Sequence, residues 1–254
     1  MGRWPGQADA GGSGGDSLSE RTTVAIGPDP DGRWLYRIGG ISGFIIGISY
    51  LAIIALYIPV GAPPDGGEAW LAYGGGKTTT WWAILALSVL TDILIVPLML
   101  ALYVALKDVH RDAMLLAVAF KVLFVVLELS VGWPNLGLLI AYSGDYAAAT
   151  TEAQRAALVT AANYAATVSG STLAGVYTIV LPALGMLLAS LVMLRGVFGR
   201  GAAYAGVLSG VLGIVSVAGG LFAEELGKAV IIASIFSLAW YSIVGYWLYR
   251  LGRQ

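Results

Sequence analysis

The chain of 254 residues has no cysteine and one histidine, His110. It therefore has no disulfide, no thiolate metal site and no Cys nucleophile, and one imidazole alone is poor material for zinc or haem ligation. No metal and no cofactor is expected. Charge is scarce too: 11% of residues are Asp, Glu, Lys or Arg, against about 25% in soluble domains. That is too little to clothe an ordinary globular enzyme of this size. Basic excess is also missing, since the formal net charge is −1. A phosphate backbone would find no electrostatic footprint, and nucleic acid is not expected as a partner.

What the chain has in abundance is apolar residues, 58% of the total, with a mean hydropathy of +0.80. A helix needs about 20 mostly apolar residues to cross a bilayer. Six stretches qualify, near residues 38–60, 81–106, 113–133, 171–194, 203–222 and 229–249. The expected fold class is thus all-α, a polytopic membrane protein built as a six-transmembrane-helix bundle over residues 34–254. The segment before it, residues 1–33, is rich in Gly, Ser and Asp, as at Gly11-Gly12-Ser13-Gly14-Gly15-Asp16. Such a composition buries too little surface to offset its ordering entropy, so a disordered tail is expected. It does not read as a signal peptide, because the first apolar run begins only near Ile38.

Orientation follows the distribution of Lys and Arg. With six spans both termini share a side. That side carries Arg3, Arg21, Arg33, Arg37, Lys107, Arg111, Arg195, Arg200, Arg250 and Arg253, whereas the other carries Lys77, Arg155 and Lys228. The bias places both termini in the cytoplasm of a cell whose inner (plasma) membrane the chain crosses repeatedly. Trp81, Trp82 and Trp133 at the outer ends, and Tyr246, Trp247 and Tyr249 at the inner end, form the aromatic belts expected at headgroup level.

The one long connection, residues 134–170, is expected to begin where Pro134 ends the third helix by removing a backbone donor. Asn135–Tyr142 is apolar but too short to span and reads as an interfacial or re-entrant piece. Thr151-Glu152-Ala153-Gln154 fits a capping box that starts an Ala-rich helix, which Ser169-Gly170-Ser171 would bend or break. Small residues at four-residue spacing, Gly43 and Gly47 on the first span and Gly206 and Gly210 on the fifth, suit close helix packing in lipid.

Three ionisable residues fall inside spans: Asp92, Lys121 and Glu128. Each costs at least ~2.5–3.5 kcal/mol at the bilayer centre on insertion scales, so such residues face the bundle interior, pair or line water. Counting from the inner-face basic residues at ~1.5 Å per residue puts Lys121 about 15 Å deep, Asp92 about 22 Å and Glu128 about 25 Å. Lys121 and Glu128 are seven apart on one helix face, and a short turn makes the second and third spans neighbours. One shared polar pocket is expected. Because helical side chains lean towards the helix N-terminus, Lys121 leans away from the carboxylates and would need a bend or a bridging water to reach them.

A resemblance adds to this reading. Ala101-Leu102-Tyr103-Val104-Ala105-Leu106-Lys107-Asp108-Val109-His110, running into Leu115-Leu116-Ala117-Val118-Ala119-Phe120-Lys121, resembles the second-to-third helix segment of a bacterial membrane family known as domain of unknown function 4386. The run Leu181–Gly199 and the span with Gly206, Leu208 and Gly213 are similar to later helices of that family. Lys121 stands where the family usually has Arg. The resemblance covers about residues 36–250 and implies a six-helix bacterial membrane protein without an assigned activity.

The function favoured by the sequence is a structural, sensory or regulatory membrane subunit, for which no internal repeat and small size speak. The alternative is a small proton- or cation-coupled transporter using the Asp92/Lys121/Glu128 cluster. The third class is an intramembrane enzyme. No enzyme is expected, because His110 and the serines Ser169 and Ser171 lie at opposite faces and cannot form a Ser–His pair. The bilayer is the partner implied directly. A membrane-protein partner or a second copy of the chain is the further expectation for a subunit.

Overall fold

The computed structural model describes residues 32–195 and 198–254. The expected disordered segment 1–33 lies outside these residues except for Gly32 and Arg33, and Arg33 already opens a helix. Among the described residues the chain is all-helical, with no strand. Five helical stretches are long and apolar enough to cross a membrane. One of them, residues 78–148, is 71 residues long. Straight, it would reach about 105 Å, more than three times the ~30 Å hydrocarbon core. It does not run straight. His110 leaves helical geometry (φ −160°, ψ 90°), and its Nδ1 accepts a hydrogen bond from the Ala113 amide at 3.2 Å, capping the second arm of the stretch. The chain reverses there, as shown by Trp133 reaching back to Asp92. The long stretch therefore supplies two crossings, and the total is six.

The elements are α1 (Arg33–Val60), α2 (Gly67–Gly74), α3 (Thr78–Leu127, with its two arms meeting at His110), a π-helical turn (Glu128–Gly132), α4 (Trp133–Ala148), α5 (Glu152–Ser169), α6 (Thr172–Gly175), a second π-helical turn (Val176–Val180), α7 (Leu181–Met193), α8 (Arg200–Gly220), α9 (Glu224–Gly227) and α10 (Ala229–Leu251). The spanning helices close a ring: α1 packs on α3 and α10, α3 on α7, α7 on α8, and α8 on α10. Arg37 Nε donates to the Gly252 carbonyl at 2.7 Å, so the start of α1 and the end of α10 share a face, termed here the terminal face.

Glycines set how closely the ring closes. A Cβ on Gly43 would come within 2.6 Å of the Gly245 Cα, and one on Gly40 within 2.5 Å of the Tyr249 backbone. The α1–α10 seam is thus backbone against backbone. Gly47 faces the Ser242 hydroxyl instead. Gly206 sits against Ser190 and Trp240, and Gly210 against the Leu187 and Ala183 backbone of α7. In lipid, where no hydrophobic force joins helices, such approaches supply the dispersion contacts that hold them.

The connection 134–170 departs from expectation. Pro134 does not end the helix, and Asn135–Tyr142 is neither re-entrant nor separate; both belong to α4, which continues the second arm of α3. The π-turn is the reason. The Trp133 amide bonds to the Glu128 carbonyl five residues back, which widens the turn where the Pro134 ring would otherwise clash. The same device recurs before Pro182, where the Leu181 amide bonds to the Val176 carbonyl. Residues 111–148 then run for about 55 Å, beyond the bilayer core. The end of α4 packs with α2 and α5 into a cap at the far face, with a core of its own that includes Trp70, Leu71, Leu139, Ile140 and Ala162. α5 starts at the capping box: Thr151 Oγ1 accepts from the Gln154 amide at 3.2 Å and Gln154 Oε1 from the Thr151 amide at 3.3 Å. It stops at Ser169, and Ser171 caps α6 through the Ala174 amide at 3.1 Å.

Candidate functional site

The three intramembrane ionisable side chains are all withdrawn from the surface: Asp92 is 4% exposed, Lys121 1% and Glu128 4%. Each sits on a buried stripe of α3 or in the π-turn that extends it. Asp92 lies close enough to both Lys121 and Glu128 to act on them electrostatically, but Asp92 and Lys121 each bond to a different aromatic residue and Glu128 to none among the described residues.

Asp92 Oδ2 accepts a hydrogen bond from Trp133 Nε1 at 2.6 Å. This short contact ties the first arm of α3 to the start of α4. Lys121 Nζ donates to the Tyr241 hydroxyl of α10 at 2.9 Å, and it lies 5.3 Å from that ring's centroid. No carboxylate oxygen among the described residues forms an ion pair with it. The stem follows the expected lean and finds a phenol rather than an acid. Tyr241 stacks on Tyr50 of α1, with ring centroids 6.1 Å apart. Glu128 has no hydrogen-bond partner among the described residues. Its carboxylate leans on Gly132, where a Cβ would collide with it.

The three do not share the expected single pocket: Lys121 and Glu128 line two different cavities, and Asp92 lines neither. The inner one, of 140 Å³, is walled by Lys121, Tyr241, Tyr50 and the hydroxyls of Ser209, Ser234 and Ser237. The outer one, of 310 Å³, lies between the bundle and the far-face cap and is reached by Glu128. Thr178, in the second π-turn, lines both. The two π-turns touch each other, so both departures from α-helical geometry meet where the cavities adjoin. π-turns of this kind occur often at functional sites. Among the described residues no group of three or more His, Asp or Glu side chains could hold a metal ion.

The model of a domain of unknown function, DUF4386, matches residues 42–252. The chain belongs to this family. No curated protein and no solved structure is detectably similar to it. The match of this DUF4386 protein begins within α1 and takes in the five later crossings, both π-turns and the whole Asp92/Lys121/Glu128 cluster. The family is one of unknown function, and the multi-pass membrane character comes from the helices long and apolar enough to cross a bilayer.

Four residues of the site lie outside the set that the intramembrane charges pick out. Trp133 reads there as part of the aromatic belt, whereas its indole serves Asp92. Tyr50 and Thr178 carry no signal beyond being polar atoms inside spans. Tyr241 does carry one: it lies nine residues from Arg250, about 14 Å deep at 1.5 Å per residue, which is the depth of Lys121.

Proposed function

We propose that this DUF4386 protein is a small proton- or cation-coupled carrier of the plasma membrane, with both termini cytoplasmic and Glu128 as the group that takes up and releases the coupled ion. The observation that carries this reading is the outer cavity, which reaches a buried carboxyl group without a hydrogen-bond partner. A carboxyl placed only to fix helix register would be enclosed and fully bonded, because leaving a buried polar group unmatched is costly. An unbonded carboxyl open to a cavity is out of place in a structural, sensory or regulatory subunit, the alternative reading. Asp92 and Lys121 act as positioning charges. One holds Trp133 at the cavity wall, and the other lies in the adjoining cavity beyond Thr178. Catalysis is no part of this reading, since His110 caps a turn at the terminal face while Ser169 and Ser171 lie at the far face.

The test is proton movement in proteoliposomes carrying a trapped pH-sensitive dye. Gradients of sodium, potassium or an organic ammonium salt are imposed in turn. The whole protein should change the internal pH faster than protein-free vesicles with at least one of these ions, and Glu128→Gln should abolish the difference. Flux that is equal in the variant and the parent, or absent with every ion, would overturn the carrier reading.

A further inference from the structure

The outer cavity has a chemistry more specific than the carrier reading requires. We propose that it is a binding site for an organic ammonium cation, held against an aromatic wall with the Glu128 carboxylate as counter-charge; the proposal rests on the reading of Glu128 given above. The wall is formed by Tyr57, Trp70, Trp81, Trp133 and Tyr177. These rings come from five places in the chain: the end of α1, α2, the start of α3, the start of α4 and the second π-turn. Three of them form a contiguous cluster, with Tyr57 edge-on to Trp81 at 5.3 Å and Trp70 tilted on Trp81 at 5.0 Å. Trp133 is fixed from behind by its hydrogen bond to Asp92.

Aromatic faces carry negative electrostatic potential, and cages of such rings recognise alkylated ammonium groups. Next to the wall but outside the cavity lining, Tyr73 packs on Trp70 and Trp81 and carries Lys77 Nζ 3.9 Å from its centroid, where the ammonium also donates to the Val60 carbonyl at 3.2 Å. Charge points the same way. Neither Lys nor Arg lines the cavity, and Glu128 is its one carboxyl group. An inorganic ion would need several oxygen ligands converging on one point to replace its water, and beside the one carboxylate the side chains of the wall offer only neutral hydroxyls, those of Ser169, Thr178, Tyr57 and Tyr177, spread over three elements. A weakly hydrated alkylammonium needs few. The volume of 310 Å³ is at the small end of the ~300–1,000 Å³ typical of small-molecule sites.

A proton and the ammonium group compete for one carboxyl group. When the cation displaces the proton, the O–H bond of Glu128 breaks, the proton passes to water, and the carboxylate is left paired with the ammonium. The titratable groups around Glu128 are Tyr50 and Tyr57 from α1, Asp92 and Lys121 from α3, Tyr177 from the second π-turn and, beyond Asp92, Tyr241 from α10.

The experiment is a titration of the purified whole protein in nanodiscs, monitored by tryptophan fluorescence and calorimetry. The probes are tetraethylammonium, choline, neohexyl alcohol (the uncharged carbon isostere of choline) and potassium. Tetraethylammonium and choline should saturate the signal and bind at least about tenfold more tightly than the alcohol or potassium, the discrimination expected of a desolvated cation on several ring faces. Their affinity should fall as pH is lowered, and binding in weak buffer should release protons. Glu128→Gln, which keeps the side-chain shape, should remove the pH dependence and weaken binding about tenfold or more. The comparison of probes on the unaltered protein needs no variant to fold. Equal affinity for choline and the alcohol would overturn the inference, as would undiminished binding in Glu128→Gln or binding of potassium in preference. Such a result leaves the carrier reading to the proteoliposome flux. Conversely, Glu128-dependent ammonium binding without flux with any ion would uphold the site and overturn the carrier.

Discussion

At the residue scale, the cluster is held by hydrogen bonds that cross between helices rather than by ion pairs. Trp133 serves Asp92, and Tyr241 serves Lys121. In a medium without water to substitute, removing one partner exposes the other to its full desolvation cost. Tyr241→Phe deletes the polar partner at nearly unchanged ring volume, whereas Trp133→Phe deletes it together with part of the ring and adds a cavity cost. Each should lower stability by about 1–3 kcal/mol, measured as Tm in detergent. Asp92→Asn, combined with Trp133→Phe, should recover part of the loss by replacing an ionisable group with a neutral one. Equal stability of Trp133→Phe and the parent would mean that the short indole–carboxylate contact contributes nothing.

At the element scale, the α1–α10 seam shows why spacing of small residues is an incomplete guide. Gly43 and Gly47 are equivalent by pattern but not by environment. A Cβ on Gly43 meets the Gly245 backbone, which cannot move without shifting a helix, while one on Gly47 meets the Ser242 hydroxyl, which can rotate away. Gly43→Ala should therefore cost about 1–3 kcal/mol, the range for overpacking, and Gly47→Ala should cost clearly less. Thermal melts of the two variants in one detergent make the comparison. A larger loss at Gly47 would show that the seam yields at Gly43. The prolines teach the same lesson. Pro134 and Pro182 look like helix breakers, yet each comes just after a π-turn that makes room for its ring.

At the scale of the whole molecule, the reversal at His110 fixes the count of crossings. Taken as one helix, residues 78–148 would leave five crossings and the termini on opposite faces. The contact between Arg37 and Gly252 is incompatible with that arrangement. Because the chain has no cysteine, single cysteines can map the topology in intact cells. With the termini cytoplasmic, a thiol at Glu68 should react with an impermeant reagent added outside, and one at Asp108 should react only after permeabilisation. The reverse pattern would invert the protein, and labelling of both from outside would remove one crossing.

The sequence by itself determined the membrane class, the six crossings, the identity of the buried charges and the starting box of α5. These rest on quantities that are local along the chain: apolar run length, rise per residue, the sidedness of Lys and Arg, and a four-residue capping pattern. Only the tertiary structure decided that Lys121 meets Tyr241 and Asp92 meets Trp133, and that Glu128 lines a cavity walled by rings from five separate segments. Those pairings join residues 41 and 120 positions apart. Nothing in either residue's neighbourhood specifies them, because they depend on which helices adjoin in the ring. The continuation of α4 through Pro134 was hidden for the same reason: the residue type forbids a regular helix, and only packing could supply the irregular one.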